Sequence, residues 1–137
     1  MITTLIFIII AAICNALMDK VETTIQFNTS IFQKLRPEFW CKVVSADTLK
    51  FIDGTKYRPD AWHFAKSIMI ILLLDIPVFY TPLMGPIFKP FLGYTYINEV
   101  PLNVILGAGF DVLIMGVVWN LTFDLFYHKI FYKPKIS

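Results

Sequence analysis

VILGAGFDVLIMGVVWNLTFDLFY, residues Val104–Tyr127, holds only two charged side chains, Asp111 and Asp124, in an otherwise apolar run. As a helix rising ~1.5 Å per residue it would measure ~36 Å, more than the ~30 Å hydrocarbon core of a bilayer. Its late polar residues are ordered: Asn120 and Asp124, with His128 just beyond, follow at i, i+4 and i+8, one side of a helix. The stretch predicts a transmembrane helix that ends in a polar stripe.

Two further stretches, Ile2–Met18 and Ala61–Tyr80, have the same character. Asn15, Asp19, Glu22 and Gln26 recur at helical spacing on and beyond the first, and Asp60, His63, Ser67 and Asp75 share one face of the second. If each segment crosses once, helix 1 ends, helix 2 begins and helix 3 ends on a common side. Ionisable groups inside a membrane are costly and usually turn toward a bundle interior. The convergence therefore predicts a shallow polar pocket at that side.

Composition agrees with this reading. The chain of 137 residues is 57% hydrophobic and 16% charged, with the apolar residues gathered in blocks. We expect an all-α polytopic membrane protein forming one membrane domain over 1–137, with spans near 2–18, 61–80 and 104–127. The first block has no Lys or Arg ahead of it, since Lys20 is the first basic residue, so a retained anchor is expected rather than a secretory signal. Ile13 is too bulky for the position before the cysteine of a lipoprotein cleavage site. Lys20, Lys34, Arg36, Lys42, Lys50, Lys56 and Arg58 lie between helices 1 and 2, and Lys129, Lys133 and Lys135 follow helix 3. Only Lys89 lies between helices 2 and 3. The positive-inside rule then puts the N-terminus outside, the C-terminus in the cytoplasm and the polar stripes toward the cytoplasm. A bacterial inner membrane is the expected setting. The net charge of +2 is too small to suggest nucleic acid, so the expected partners are membrane lipids, with a homo-oligomer or larger membrane complex as a further expectation. Cys14 and Cys41 lack the spacing of a zinc or thiol-redox motif and are read as structural.

The connections carry their own signals. In the segment 28–59, Asn28, Thr29 and Ser30 offer a break and a new N-cap. Ile31, Phe32, Leu35, Phe39, Trp40, Val43 and Val44 then form an amphipathic, interfacial pattern that Pro37 interrupts or restarts. Asp53-Gly54 suits the tight turn of a small hairpin, and Asp60 suits the N-cap of helix 2. From 81 to 103, Pro82, Gly85, Pro86, Pro90 and Gly93 break an apolar sequence, which predicts an outer cap, interfacial or re-entrant, with a fourth short membrane segment as the alternative. On helix 3, Gly109 and Gly116 permit a close approach along one seam. Asp75 and Asp111 form a second, outer pair of carboxylates, placed to donate hydrogen bonds if protonated.

The expected pocket comprises Asn15, Asp19, Asp60, His63, Ser67, Asn120, Asp124 and His128. Carboxylate and imidazole ligands together suit a divalent metal, which makes Asp60, His63, Asp124 and His128 the candidate metal ligands and a divalent cation the candidate cofactor. A metal-bound hydroxide attacking a lipid phosphate or acyl ester would make the protein a membrane-embedded hydrolase or transferase. Without a metal, the same pocket suits a lipid headgroup. The alternative is a hydrogen-bonded polar layer that fixes helix register in a structural subunit of a larger membrane assembly. The sequence contains no phosphate-binding loop, Gly-x-Ser-x-Gly, His-Glu-x-x-His or Cys-x-x-Cys.

Asn15-Ala16-Leu17-Met18-Asp19, Phe39-Trp40 and Asp60-Ala61-Trp62-His63-Phe64-Ala65-Lys66 together resemble a loose pattern of uncharacterised small bacterial and phage-associated membrane proteins. The resemblance covers about the first half of the chain. It implies a membrane location and carries no catalytic role.

Overall fold

The computed structural model describes residues 2–45, 60–92 and 95–133. The hairpin expected at Asp53-Gly54 lies outside these residues. Helix α1 runs Ile2–Glu22, and the chain then turns through three short elements: α2 (Thr24–Asn28), a tight helical turn (Ile31–Lys34) and α3 (Pro37–Trp40). Helix α4 is Ala61–Phe79 and α5 is Met84–Leu92; a two-strand hairpin, β1 (Tyr96–Ile97) and β2 (Val100–Pro101), leads into α6, Leu102–Asp124. The fold is all-α, and the runs Ile2–Glu22, Ala61–Leu92 and Leu102–Ile130 are each long and apolar enough to cross a membrane.

Local chemistry sets these boundaries. Asp60 accepts a hydrogen bond from the His63 backbone N–H at 2.8 Å, satisfying one of the orphan donors at the start of α4. The polar stripe on the first helix does not continue unbroken to Gln26. Helix α1 ends at Glu22, and Thr23, in extended conformation, caps α2 by accepting from the Gln26 N–H. Ser30 accepts from the Phe32 N–H at 3.1 Å and donates to the Phe27 carbonyl at 2.7 Å, the break expected from its sequence. Pro37 opens α3, where its missing N–H costs nothing.

Helix α1 lies between α4 and α6 and packs along both. Ala11, Ala12 and Ala16 on α1 are fully buried, and such small side chains let neighbouring helices approach closely. Toward α4, Cys14 and Met18 pack with Ala65, flanked by Leu17, Trp62, Ile68 and Met69. At one end the Thr4 hydroxyl donates to the Phe79 carbonyl at 3.4 Å. At the other, Lys20 lies over the Tyr127 ring of the α6 continuation at 3.8 Å. Sixteen residues separate Thr4 from Lys20 and sixteen separate Asp111 from Tyr127. Both intervals equal ~24 Å of helical rise, so the three helices stand in register, with α6 parallel to α1 and α4 antiparallel to it.

The segment after α1 folds under one end of this bundle. Val21, Phe27, Phe32 and Cys41 form a buried cluster joined by Trp40, Val44, Trp62 and Phe131. Trp40 stacks on Phe32, with ring centroids 5.1 Å apart. The backbone past α6 is tied to the same segment: the Ile31 N–H donates to the Phe131 carbonyl at 3.0 Å and the Lys133 N–H to the Thr29 carbonyl at 2.9 Å. The amphipathic pattern is thus split. Phe32 and Trp40 turn inward, whereas Ile31, Leu35, Phe39 and Val43 remain exposed.

Residues 81–92 and 95–103 cap the opposite end. Helix α5 crosses α6 where Gly85 meets Gly107, so closely that a Cβ on Gly107 would collide with the Gly85 nitrogen and Cα. The Asn103 amide donates to the Gly85 carbonyl at 3.2 Å, and Phe88 packs on Phe110. The glycines read as a seam, Gly109 and Gly116, have open space where a side chain would stand. The close helix approach within the chain falls instead on Gly107.

Candidate functional site

The end of the bundle that holds Asp60 gathers the termini of all three polar stripes but not their faces. On α1, Asn15 and Asp19 are half-buried, and Asn15 makes no side-chain hydrogen bond among the described residues. One turn on, Glu22 pairs with Lys42 at 3.0 Å, and the same ammonium lies 3.7 Å from the centre of the Trp62 ring. This one lysine joins the segment after α1 to both α1 and α4.

On α4, Asp60 is buried and both its oxygens lie 2.9 Å from His63 Nδ1, in addition to the cap on the His63 N–H. The carboxylate is therefore committed to its own helix terminus. Ser67 is exposed, and its hydroxyl donates to the His63 carbonyl at 2.9 Å.

On α6 the stripe faces away from α1. The Asn120 amide donates to the Gly116 carbonyl of its own helix at 2.8 Å, and its side chain is exposed. Asp124 and His128 meet at 3.7 Å, with side chains 69% and 62% exposed. The structure brings together Asp60 with His63, and Asp124 with His128, each pair within one helical segment. Among the described residues no group of three or more His, Cys, Asp or Glu stands close enough to share a metal ion. The cause is geometric. Residues spaced four apart share a face of their own helix, but that spacing does not say which face turns inward.

Two positions that the pocket expectation passed over are more deeply set. Lys20 is only 4% exposed, its ammonium over the Tyr127 ring and 5.4 Å from that of Tyr132. Beside it, Gln26 Nε2 donates to the Tyr127 hydroxyl at 3.5 Å. Tyr127 reaches this place because the helix widens after Asp124 into a looser turn, closed by Phe131 N–H to the Phe126 carbonyl at 2.7 Å. The sequence signal was available: Lys20 lies about 100° round the helix from Asp19, on the side that the polar stripe leaves apolar.

At the opposite end, Asp111 is 2% exposed and accepts three hydrogen bonds, from the Tyr80 hydroxyl at 2.5 Å, the Leu83 N–H at 2.9 Å and the Met84 N–H at 3.1 Å. The sequence allows Asp111, like Asp75, to donate a hydrogen bond if protonated. In the structure it is an acceptor that caps the start of α5 from a different helix.

No known protein family, curated protein or solved structure matches this chain.

Proposed function

We propose that this protein is a structural subunit of a larger membrane assembly, docking through the outward polar face of α6. One observation carries the reading: Asn120, Asp124 and His128 are exposed on a helix of membrane-spanning length. Taking His128 at the bilayer boundary, Asp124 lies ~6 Å and Asn120 ~12 Å inside it. An aspartate in the centre of a spanning helix costs about 3 kcal/mol against lipid, less near the boundary, and such groups normally face protein. A neighbouring chain supplies that environment, whereas acyl chains do not. The orientation in this proposal has the N-terminus outside and the Asp60 end of the bundle in the cytoplasm, following the basic residues. The pocket reading, with a lipid headgroup or divalent cation, requires Asp60 and Asp124 to act on one ligand, yet Asp60 is held by His63 at its own helix start and Asp124 is exposed on the face of α6 turned away from α1.

Gentle detergent extraction followed by native mass spectrometry tests the choice. We expect this chain to leave the membrane with stoichiometric protein partners, and Asn120→Leu to weaken that association. A stable monomer carrying a bound metal or a specific lipid would overturn the assembly reading in favour of the pocket.

A further inference from the structure

We infer that the chain seated on the polar face of α6 is a second copy of this protein, parallel to the first and related to it by a two-fold axis along the membrane normal. The inference rests on the assembly reading and names the partner. Gly109, Leu113, Gly116, Asn120 and Asp124 fall at i, i+4, i+7, i+11 and i+15, one continuous face. Gly109 and Gly116 meet no atom within 4 Å of where a Cβ would stand, so this face has room for another helix and is not occupied by the chain itself.

The chemistry of the face is self-complementary. Copies inserted with one orientation present equal residues at equal depth. An asparagine amide carries two donors and an acceptor; one N–H of Asn120 is used on Gly116, which leaves a donor and the carbonyl oxygen to pair with the same groups of a copy. Asp124 and His128 stand 3.7 Å apart, too far for a good hydrogen bond, and both are more than half exposed. Across a two-fold axis, Asp124 of each copy comes within one helical turn of His128 of the other, giving two reciprocal carboxylate–imidazole contacts. The isologous geometry of a cyclic dimer supplies this arrangement from one surface patch. A partner of another kind would have to match an amide, an acid and an imidazole at three depths, which a copy does by construction.

The test uses two full-length copies with different fluorophores, reconstituted in vesicles of phosphatidylethanolamine and phosphatidylglycerol, with energy transfer as the readout. We expect transfer between copies that dilution with lipid reduces. Gly116→Leu and Asn120→Leu should each lower the association constant at least tenfold. Melting temperature in a detergent that yields monomers should be little changed, because both positions face open space. His128→Asp should weaken association, and adding Asp124→His to the same chain should restore most of it, a rescue that unfolding cannot mimic. No transfer between wild-type copies, with a different chain recovered in stoichiometric amount from native membranes and released by Asn120→Leu, would overturn the second copy while leaving the assembly reading intact. No transfer and no recovered chain would overturn both.

Discussion

At the scale of single residues, Asp111 has the most consequential position in the chain. A carboxylate that accepts one hydroxyl and two backbone N–H groups holds the break between α4 and α5. Asp111→Ala leaves buried donors without a partner and should cost about 2–3 kcal/mol, since hydrogen bonds to charged groups and unsatisfied buried donors both fall in that range. Tyr80→Phe removes one of the three and should cost roughly 1 kcal/mol. Thermal unfolding in detergent, with limited proteolysis after Phe79, measures both; equal stability of Asp111→Ala and the wild type would refute the capping role. Gly107 gives a sharper contrast. Gly107→Ala must push α5 from α6 and should destabilise by about 1–3 kcal/mol, whereas Gly109→Ala adds a methyl to open space and should be neutral to the isolated chain. Sequence distinguished these poorly. Gly107, Gly109 and Gly116 are alike as symbols, and only the crossing of α5 decides which one is in contact.

Among the elements, the hairpin before α6 shows a local conflict. Asn98 and Glu99 both have positive φ, 47° and 67°. Asparagine visits this region readily, but a glutamate there bears a steric cost of about 1–2 kcal/mol. Glu99→Gly yields the Asn-Gly pair that such turns prefer and should stabilise the cap by roughly 0.5–1 kcal/mol, read as a rise in melting temperature. This hairpin was not legible beforehand, because nothing in Asn98-Glu99 demands a turn as strongly as a glycine does. By contrast, Asp60 and Ser30 were legible as caps, and Pro37 as either an interruption or a helix start, because each depends only on residues two or three positions away. The widened turn after Asp124 was hidden for the opposite reason. It brings Tyr127 onto Lys20, a contact between residues more than a hundred positions apart that no local pattern records. Tyr127→Leu should cost about 1–2 kcal/mol through the lost cation–π contact, and Tyr127→Phe, which keeps the ring, distinctly less. If both variants melt together, the ring contact is not what holds this end.

For the whole molecule, apolar length and the positions of the polar stripes were enough to read the three spanning helices and the common end to which Asp19, Asp60 and Asp124 belong. They did not reveal that Asn120, Asp124 and His128 turn away from α1. Both orientations of a helix preserve its spacing, and the choice follows from small residues on α1 and from the Gly85–Gly107 crossing. The proposed topology has its own test. Single cysteines at Lys34 and Lys89, in a chain whose native Cys14 and Cys41 are buried, should react with a membrane-impermeant maleimide from opposite sides. Lys89 should react in intact cells and Lys34 only after the membrane is opened; the reverse pattern would invert the assigned orientation.

The placement of α1 between α4 and α6 bears on how the protein is made. The central helix is the first to be synthesised, and both of its neighbours arrive later. Until residue 79 has left the ribosome, its alanine-rich flanks have nothing native to rest against. Assembly is thus a sequential docking onto a template that waits, and a lesion on the α1 surface should be felt twice, once for each arriving helix.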